Sequence, residues 1–545
     1  MTQTEESELR DTIEQYRNAR LTRRDFVQRA AVLGISASVA ASILAACGGG
    51  GGGGGTTTGE EGQPVQGGVL RMGYDRAFQK LDNVVGPWAD EPFTAIYEVP
   101  IIRDPGGKFV SSVAEAWEFS SDGLTLSMKI REGLKFHSGA PLTAANVAED
   151  FNIFRTTGVT ANFWAPVKNV EEGENNSVVL TLSKTNYGLI ETISTLFQSI
   201  HNEASRKAAG EGWGATTVDA TGPFTLKTFK PASEVVVERW PDYPGSGVPF
   251  VTNKGPAYLD SIRWVPILEP ANRANEIETG SVDIVKSPAA QDISRLQSND
   301  DLVVLELQEL SNYFITIDRT RGALGQPGVA QAMSHAIDRQ ALVDTVFFGH
   351  AVPTYGPIFP AYRWYDPGVE AYNEYDPDKA RDLLKSAGLS ELRFTLLTQN
   401  QPIQVQVLEA VGGMLREVGI TMEVKAVEDA AFFPDMFAGK PDAFMFKWLW
   451  ESPTDNMRFF GRVPSWDYNG NPPKSMAGID AWESAATEEQ LEKACRQVQL
   501  AWAEELPFIP LVTQSLVWVH HKRVHNFRPT QTSIYPLFND VWIEA

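Results

Sequence analysis

Residues 113–154, VAEAWEFSSDGLTLSMKIREGLKFHSGAPLTAANVAEDFNIF, leave a chain few ways to fold. Trp117 and Phe119 end one extended segment, and Ser121-Asp122-Gly123 supplies a turn, since Asp and Gly tolerate the positive φ of a tight hairpin. Leu124, Leu126, Met128 and Ile130 alternate with Thr125, Ser127 and Lys129, which predicts a strand with one apolar face. Gly133 and Gly139 bracket the loop Leu134-Lys135-Phe136-His137-Ser138. Thr143 is placed to cap a helix in which Val147, Phe151 and Phe154 recur at helical spacing.

That order of hairpin, glycine-bracketed loop and helix resembles the signature of the peptide-type (family 5) solute-binding proteins of ABC importers. The matching residues are Ala114-Glu115-Ala116-Trp117, Asp122-Gly123, Ile130-Arg131-Glu132-Gly133-Leu134-Lys135-Phe136-His137, Gly139, Pro141, Thr143-Ala144 and Val147. As side chains they read as scaffold rather than ligand contacts. Further matches are Gly67-Gly68-Val69-Leu70 in an opening strand, Ile96-Tyr97-Glu98 in a helix over 93–101, and Thr221-Gly222-Pro223-Phe224 in a turn. Trp240 is a departure in the strand after that turn. Residues 332–339, A-M-S-H-A-I-D-R, and the helix opened by Asp376-Pro377 extend the likeness. His335 lies inside the former and reads as a packed histidine. The resemblance runs from about Gly67 to the end.

It implies an α/β, two-lobed, periplasmic-binding-protein type II-like fold with an extra subdomain in the first lobe (cluster C). Lobe I would comprise 66–93, 220–306 and 515–545, its subdomain 94–219, and lobe II 307–514. The implied activity is capture of a peptide or peptide-like solute between the lobes and delivery to ABC permease subunits.

The amino terminus reads as address rather than fold. Thr22-Arg23-Arg24-Asp25-Phe26 resembles a twin-arginine export motif, and Leu44-Ala45-Ala46-Cys47 resembles a lipobox whose cysteine receives the lipid. The intervening apolar run is too short and too rich in Ala and Ser for a membrane span. Residues 1–47 are then the signal peptide, and 48–65, opening with eight glycines, form a tether spanning on the order of 20–25 Å. The expected location is the outer face of the cytoplasmic membrane, as a lipid-anchored monomer. Cys495 has no cysteine to pair with once Cys47 is lipidated. The net charge of -22 excludes a nucleic-acid partner, which needs a basic face.

Ligand contacts are expected around Phe446-Lys447-Trp448-Leu449-Trp450-Glu451-Ser452-Pro453. The peptide-binding members carry W-x-x-D-Y-x-D-P here, and the resemblance places Glu451 where their first Asp pairs with a ligand ammonium. Ser452 replaces Tyr, and Asp455 is not followed by Pro. A buried ammonium needs such a paired anion. Trp448 and Trp450 alternate, so one faces the cleft and the other the core. Tyr74, Asp75, Trp88 and Tyr97 fall where the family lines its cleft, and Asn312 and Tyr313 stand at the crossing to lobe II. The aromatic content, extended by Phe459, Phe460, Trp466 and Tyr468, leaves an oligosaccharide or other stacked solute open as the ligand. A surface sensor or chaperone without transport, and a cleft hydrolase using paired carboxylates, are the readings of other classes. No H-E-x-x-H, P-loop or G-x-S-x-G occurs, and His520, His521 and His525 on a strand end face apart, so no catalytic residue, cofactor or metal site is expected.

Overall fold

Gly67 and Gly68, both at positive φ, lead the chain into β1 (Val69–Tyr74), where Leu70, Met72 and Tyr74 are buried. The structure, a computed structural model, describes residues 63–78, 80–86, 91–158, 160–449, 473–530 and 536–544. Arg23, Arg24, Cys47 and the glycine run lie outside the described residues.

The helix expected over 93–101 is only Pro92–Ile96. Val99 precedes Pro100, whose ring disfavours helical backbone at the residue before it. Ile101 instead opens β2 (Ile101–Arg103), paired with β3 (Phe109–Ser111). The signature follows as β4 (Ala114–Phe119), β5 (Thr125–Ile130) and the helix Ala144–Thr156, with Gly123 at φ +68 in the turn. β6 (Val167–Gly173) and β7 (Ser177–Leu182) complete an antiparallel sheet in the order β4-β5-β7-β6. Leu126, Met128, Ile130, Val178 and Leu180 pack against Val147, Phe151 and Phe154 of the helix in one core. Asn176 Oδ1 accepts the N–H of Ala144 at 2.8 Å, satisfying one of the donors a helix start leaves open.

The polar residues of the signature tie this sheet to its surroundings. Arg131 donates to the carbonyls of Ser112 (2.6 Å) and Gly245 (3.1 Å). His137 Nε2 lies 3.0 Å from the carbonyl of Gly222, 85 positions away, and burial holds this imidazole below its ordinary pKa. Two motif stretches therefore close on one another. Gly222 is required there, because a Cβ would come within 2.5 Å of the Ile96 backbone. Trp240 stands edge-on to the His137 ring, centroids 4.9 Å apart, so the departure from the family pattern fills this junction.

β8 (Phe224–Lys230) runs antiparallel to β9 (Glu234–Arg239), and β9 antiparallel to β10 (Ser261–Pro266). β10 lies parallel to β1, and β1 parallel to β11 (Ile284–Lys286). β12 (Leu302–Gln308) and β13 (Ser311–Ile317) then carry the chain into a second set of strands. These are β14 (Ala351–Pro353), β15 (Leu392–Gln399), β16 (Ile420–Val427) and β17 (Ala443–Leu449). β15 is parallel to β16 and β17, and β13 is antiparallel to β17. Helices Val329–Ala336, Pro377–Ser386 and Pro402–Glu417 bury their apolar stripes against this set. Asp376 caps the second of them, accepting the N–H of Lys379 at 2.8 Å.

β18 (Ile509–His521) belongs to both sets. It pairs first with β13 and β14 and then with β11 and β12. Leu511 and Val512 lie in the core of the second lobe, Leu516 and Trp518 in that of the first. β19 (Val524–His525) and β20 (Trp542–Ile543) pair near the carboxyl end. The result is the two-lobed α/β architecture expected, within the single unit Pro64–Ala545.

Candidate functional site

Parallel strands of both lobes end facing the same stretch of β18. In the first lobe β1, β10 and β11 stop at Tyr74, Pro266 and Lys286, and Lys286 is level with Trp518. In the second, β15, β16 and β17 stop at Gln399, Val427 and Leu449, and Leu449 pairs with Ser311, whose carbonyl accepts from Thr513 Oγ1. Five residue steps of β18, about 17 Å, separate the two edges. Crevices beyond the carboxyl ends of parallel strands are where open α/β sheets take their ligands.

The first-lobe edge is a packed set of charges and rings. Tyr74 stacks on Phe78 with centroids 4.8 Å apart. Lys286 Nζ pairs with Glu91 at 2.7 Å, both side chains buried, and lies 5.9 Å and 5.6 Å from the rings of Tyr74 and Trp518. Burial alone would lower the lysine pKa, but Glu91 and Asp75 outweigh it and raise it. Burial likewise pushes the Asp75 carboxyl up, and Arg76, Lys286 and Arg273 together hold it well below the usual range. Lys286 and Asp75 are therefore both charged at neutral pH.

The second-lobe edge is laced into the crossing strands. Glu309, between β12 and β13, accepts from Ser311 Oγ at 2.6 Å and pairs with Lys447 Nζ at 2.6 Å. The Glu309 N–H donates to Gln514 O at 3.3 Å, and Tyr313 OH donates to Gln514 Oε1 at 2.8 Å. Asn312 is buried, donating to Gly356 O at 3.2 Å and accepting from Thr354 Oγ1 at 2.9 Å.

The sequence candidates therefore divide. Tyr74 sits on one edge, and Asn312 and Tyr313 at the crossing, with their polar atoms engaged inside the protein. Tyr97 stacks on Phe93 at 5.1 Å and donates to Leu81 O at 2.7 Å. Beside it a cavity of about 40 Å³, lined by Glu98, Ser246 and Asn539 among others, has room for water but not for a solute. The backbone of Trp448 pairs with Asn312, one position short of the end of β17. Trp88, Trp450 and Glu451 lie outside the described residues, as do Phe459, Phe460, Trp466 and Tyr468. Sequence reasoning passed over Glu91, Lys286, Glu309 and Lys447. The available signal was a lone charge at the end of an apolar strand, which is costly to bury without a partner.

Two of the three late histidines have separate side-chain partners, while Nε2 of His521 is buried without a hydrogen-bond partner among the described residues. His520 is buried edge-on to Phe527, and His525 stacks on Trp542 at 3.9 Å and meets Glu544 Oε1 at 3.0 Å. Among the described residues no group of His, Cys, Asp or Glu could hold a metal ion.

The model of the family described as bacterial extracellular solute-binding proteins, family 5, middle, matches residues 108–470. Glutathione-binding protein GsiB of Escherichia coli O1:K1 is 27% identical over 446 residues, which cover 77% of this chain and 83% of that protein. In structure the chain is similar to the ABC transporter-associated periplasmic binding protein DppA of Helicobacter pylori in complex with the peptide STSA. The TM-score is 0.76 at 19% identity, covering 88% of this chain and 99% of that one. NikA of Brucella suis in complex with Fe(III)-EDTA gives a TM-score of 0.75 at 20% identity, covering 88% and 100%. This chain belongs to family 5 of the bacterial extracellular solute-binding proteins.

Proposed function

We propose that this chain captures a peptide or peptide-like solute between its lobes and delivers it to the permease of an ABC importer. The observation that carries the reading is the convergence of both carboxyl edges on the crossing stretch of β18, with the segment holding Glu451 running on directly from β17. A solute touching both edges stabilises the closed arrangement, because it binds that state better than the open one. The names of GsiB, for glutathione, and of DppA, solved with a tetrapeptide, point to peptide-like chemistry. Glu451 is then the anion for the ligand's ammonium, with Trp448 or Trp450 stacking on it. Lobe I would take 66–93, 220–306 and 515–545, with 94–219 as its subdomain and 307–514 as lobe II. Residues 1–47 serve as a twin-arginine lipoprotein signal, and lipid on Cys47 holds the protein outside the cytoplasmic membrane as a monomer.

Native mass spectrometry on the chain from Gly62 onward, with identification of any solute released on denaturation, tests this. Short peptides or glutathione-like masses are the expected result; a sugar mass would move recognition to the aromatic side chains. With a peptide in hand, Glu451→Gln should weaken binding by about 2–5 kcal/mol in calorimetry. Equal affinity of the two proteins would place the ammonium elsewhere.

A further inference from the structure

The two lobes also meet away from the crossing strands, and this contact is built from the chain's own side chains and backbone. Lys184 Nζ pairs with Glu483 Oε2 at 3.1 Å, and Thr185 Oγ1 donates to Ser484 O at 2.9 Å. The Tyr187 N–H donates to Ala485 O at 2.9 Å, a backbone hydrogen bond between residues of opposite lobes. The Tyr187 side chain packs against the second-lobe core of Phe314, Trp482 and Trp502, and its ring stands 5.4 Å from that of Phe119. Tyr362 OH donates to Glu191 Oε1 at 2.7 Å, with Arg103 at 3.6 Å from the same oxygen, all three side chains buried.

Gly188 sets how closely the surfaces approach. Its backbone is in the right-handed helical region (φ -63, ψ -10), so the conformation does not call for glycine. Space does, since a Cβ would sit 2.8 Å from Cζ2 of Trp482.

We propose that 184–191 and 482–485, with Tyr362, form a latch that supplies part of the free energy of lobe closure from within the chain. The proposal rests on the reading of capture by closure, and it makes affinity depend on residues that never touch the solute. A latch must open without unfolding, unlike a permanent domain seam. It combines an ion pair at its exposed rim (the Lys184 side chain is 49% exposed) with a buried interior, so breaking the rim biases the equilibrium without dismantling either core.

Hydrogen exchange on the full chain, read by mass spectrometry, tests this without a known solute. In the wild type the Tyr187 amide should exchange at least ten-fold faster than amides of β5 and β15, because opening exposes it while the cores stay folded. Gly188→Leu, a wedge against Trp482, should speed exchange across 184–188 several-fold and leave β5 and β15 unchanged. Lys184→Glu should act in the same direction more weakly, and adding Glu483→Lys should restore the wild-type rate. Tyr187 protection equal to that of the cores would make this a permanent seam and overturn the latch, as would an unchanged rate in the wedge variant. Should the wedge variant unfold throughout, the charge reversal decides: failure of Glu483→Lys to restore the rate overturns the proposal. A failed search for the solute would leave these outcomes intact.

Discussion

Arg339 closes the A-M-S-H-A-I-D-R motif, and replacing it measures what that motif does. Its guanidinium is buried among oxygens rather than beside a carboxylate. Nε reaches Thr354 O and Pro510 O, both at 3.0 Å, and Nη1 reaches Ser334 O, Asn373 O and Ile337 O at 3.1, 3.2 and 3.4 Å. Nη2 reaches Ser334 Oγ at 2.8 Å, and the group lies 5.1 Å from the Tyr355 ring. Burial lowers its pKa to about 10, so the charge persists at neutral pH but loses about 3 kcal/mol to desolvation. Arg339→Met relieves that loss, but it leaves loop carbonyls such as those of Thr354 and Asn373 buried without this donor, at about 1–3 kcal/mol each. The stacking on Tyr355 is lost as well, worth about 1 kcal/mol.

The net expectation for Arg339→Met is about 3–5 kcal/mol of destabilisation, a drop of roughly 10 °C in the melting of a lobe of this size. Scanning calorimetry of wild type and variant gives the number directly. Arg339→Lys should recover less than half, because an ammonium is a point charge with three donors and cannot span acceptors on five different residues. Thr354 also donates to Asn312, and Pro510 is the second residue of the shared strand, so the loss should reach the crossing. A methionine variant within about 1 kcal/mol of wild type, or full recovery by lysine, would refute the view that the guanidinium's geometry holds these segments.

Local pattern carried much of the fold. The alternation from Leu126 to Ile130, the turn at Asp122-Gly123 and the cap at Asp376 each depend on residues within a few positions of one another, and each stands where it was expected. His335 is packed, its Nδ1 2.6 Å from Glu374 O. The expected helix over 93–101 gave too little weight to Pro100, a local signal that was present. What could not be read were meetings across the chain. Nothing near His137 announces Gly222, and nothing near Trp240 announces the ring it packs on. The same limit applies at the two strand edges. The family resemblance places Tyr74, and the strand of high β propensity at the crossing places Asn312 and Tyr313. Lys286 and Glu91 are 195 positions apart, and each alone looks like an ordinary charged residue. A charge closing an apolar strand, as Lys286 closes Ile284-Val285, implies a partner without saying which.

Two further tests follow. Cys47→Ser should release the protein from membrane fractions, and unchanged membrane association would remove the lipid anchor from the proposal. Asp150 bears on pH. It is fully buried beside His201, which also meets Asn83 and Glu203. Burial pushes its carboxyl up to about 7, with His201 pulling it down and Glu203 and Glu149 adding to the rise. The folded protein therefore keeps a proton that the unfolded chain, near 3.8, has already lost, so folding takes up a proton between those values. That contribution is fully present below about pH 4 and is lost as pH rises through about 7, on the order of 4 kcal/mol over the interval. Glu203, lowered to about 2 despite its burial by His201 and Arg206, acts in the opposite sense only below about pH 4.5. The lowered His137, His335 and His520 and the raised Glu98 are common to wild type and variant, so the difference between the two over pH 5–8 reports Asp150. Asp150→Asn keeps an oxygen for the His201 N–H, which now donates to Asp150 Oδ2 at 2.9 Å, and cannot ionise. Its melting temperature should gain on the wild type from pH 5 to about pH 7 and level off above it, and parallel melting profiles would show that Asp150 holds no such proton.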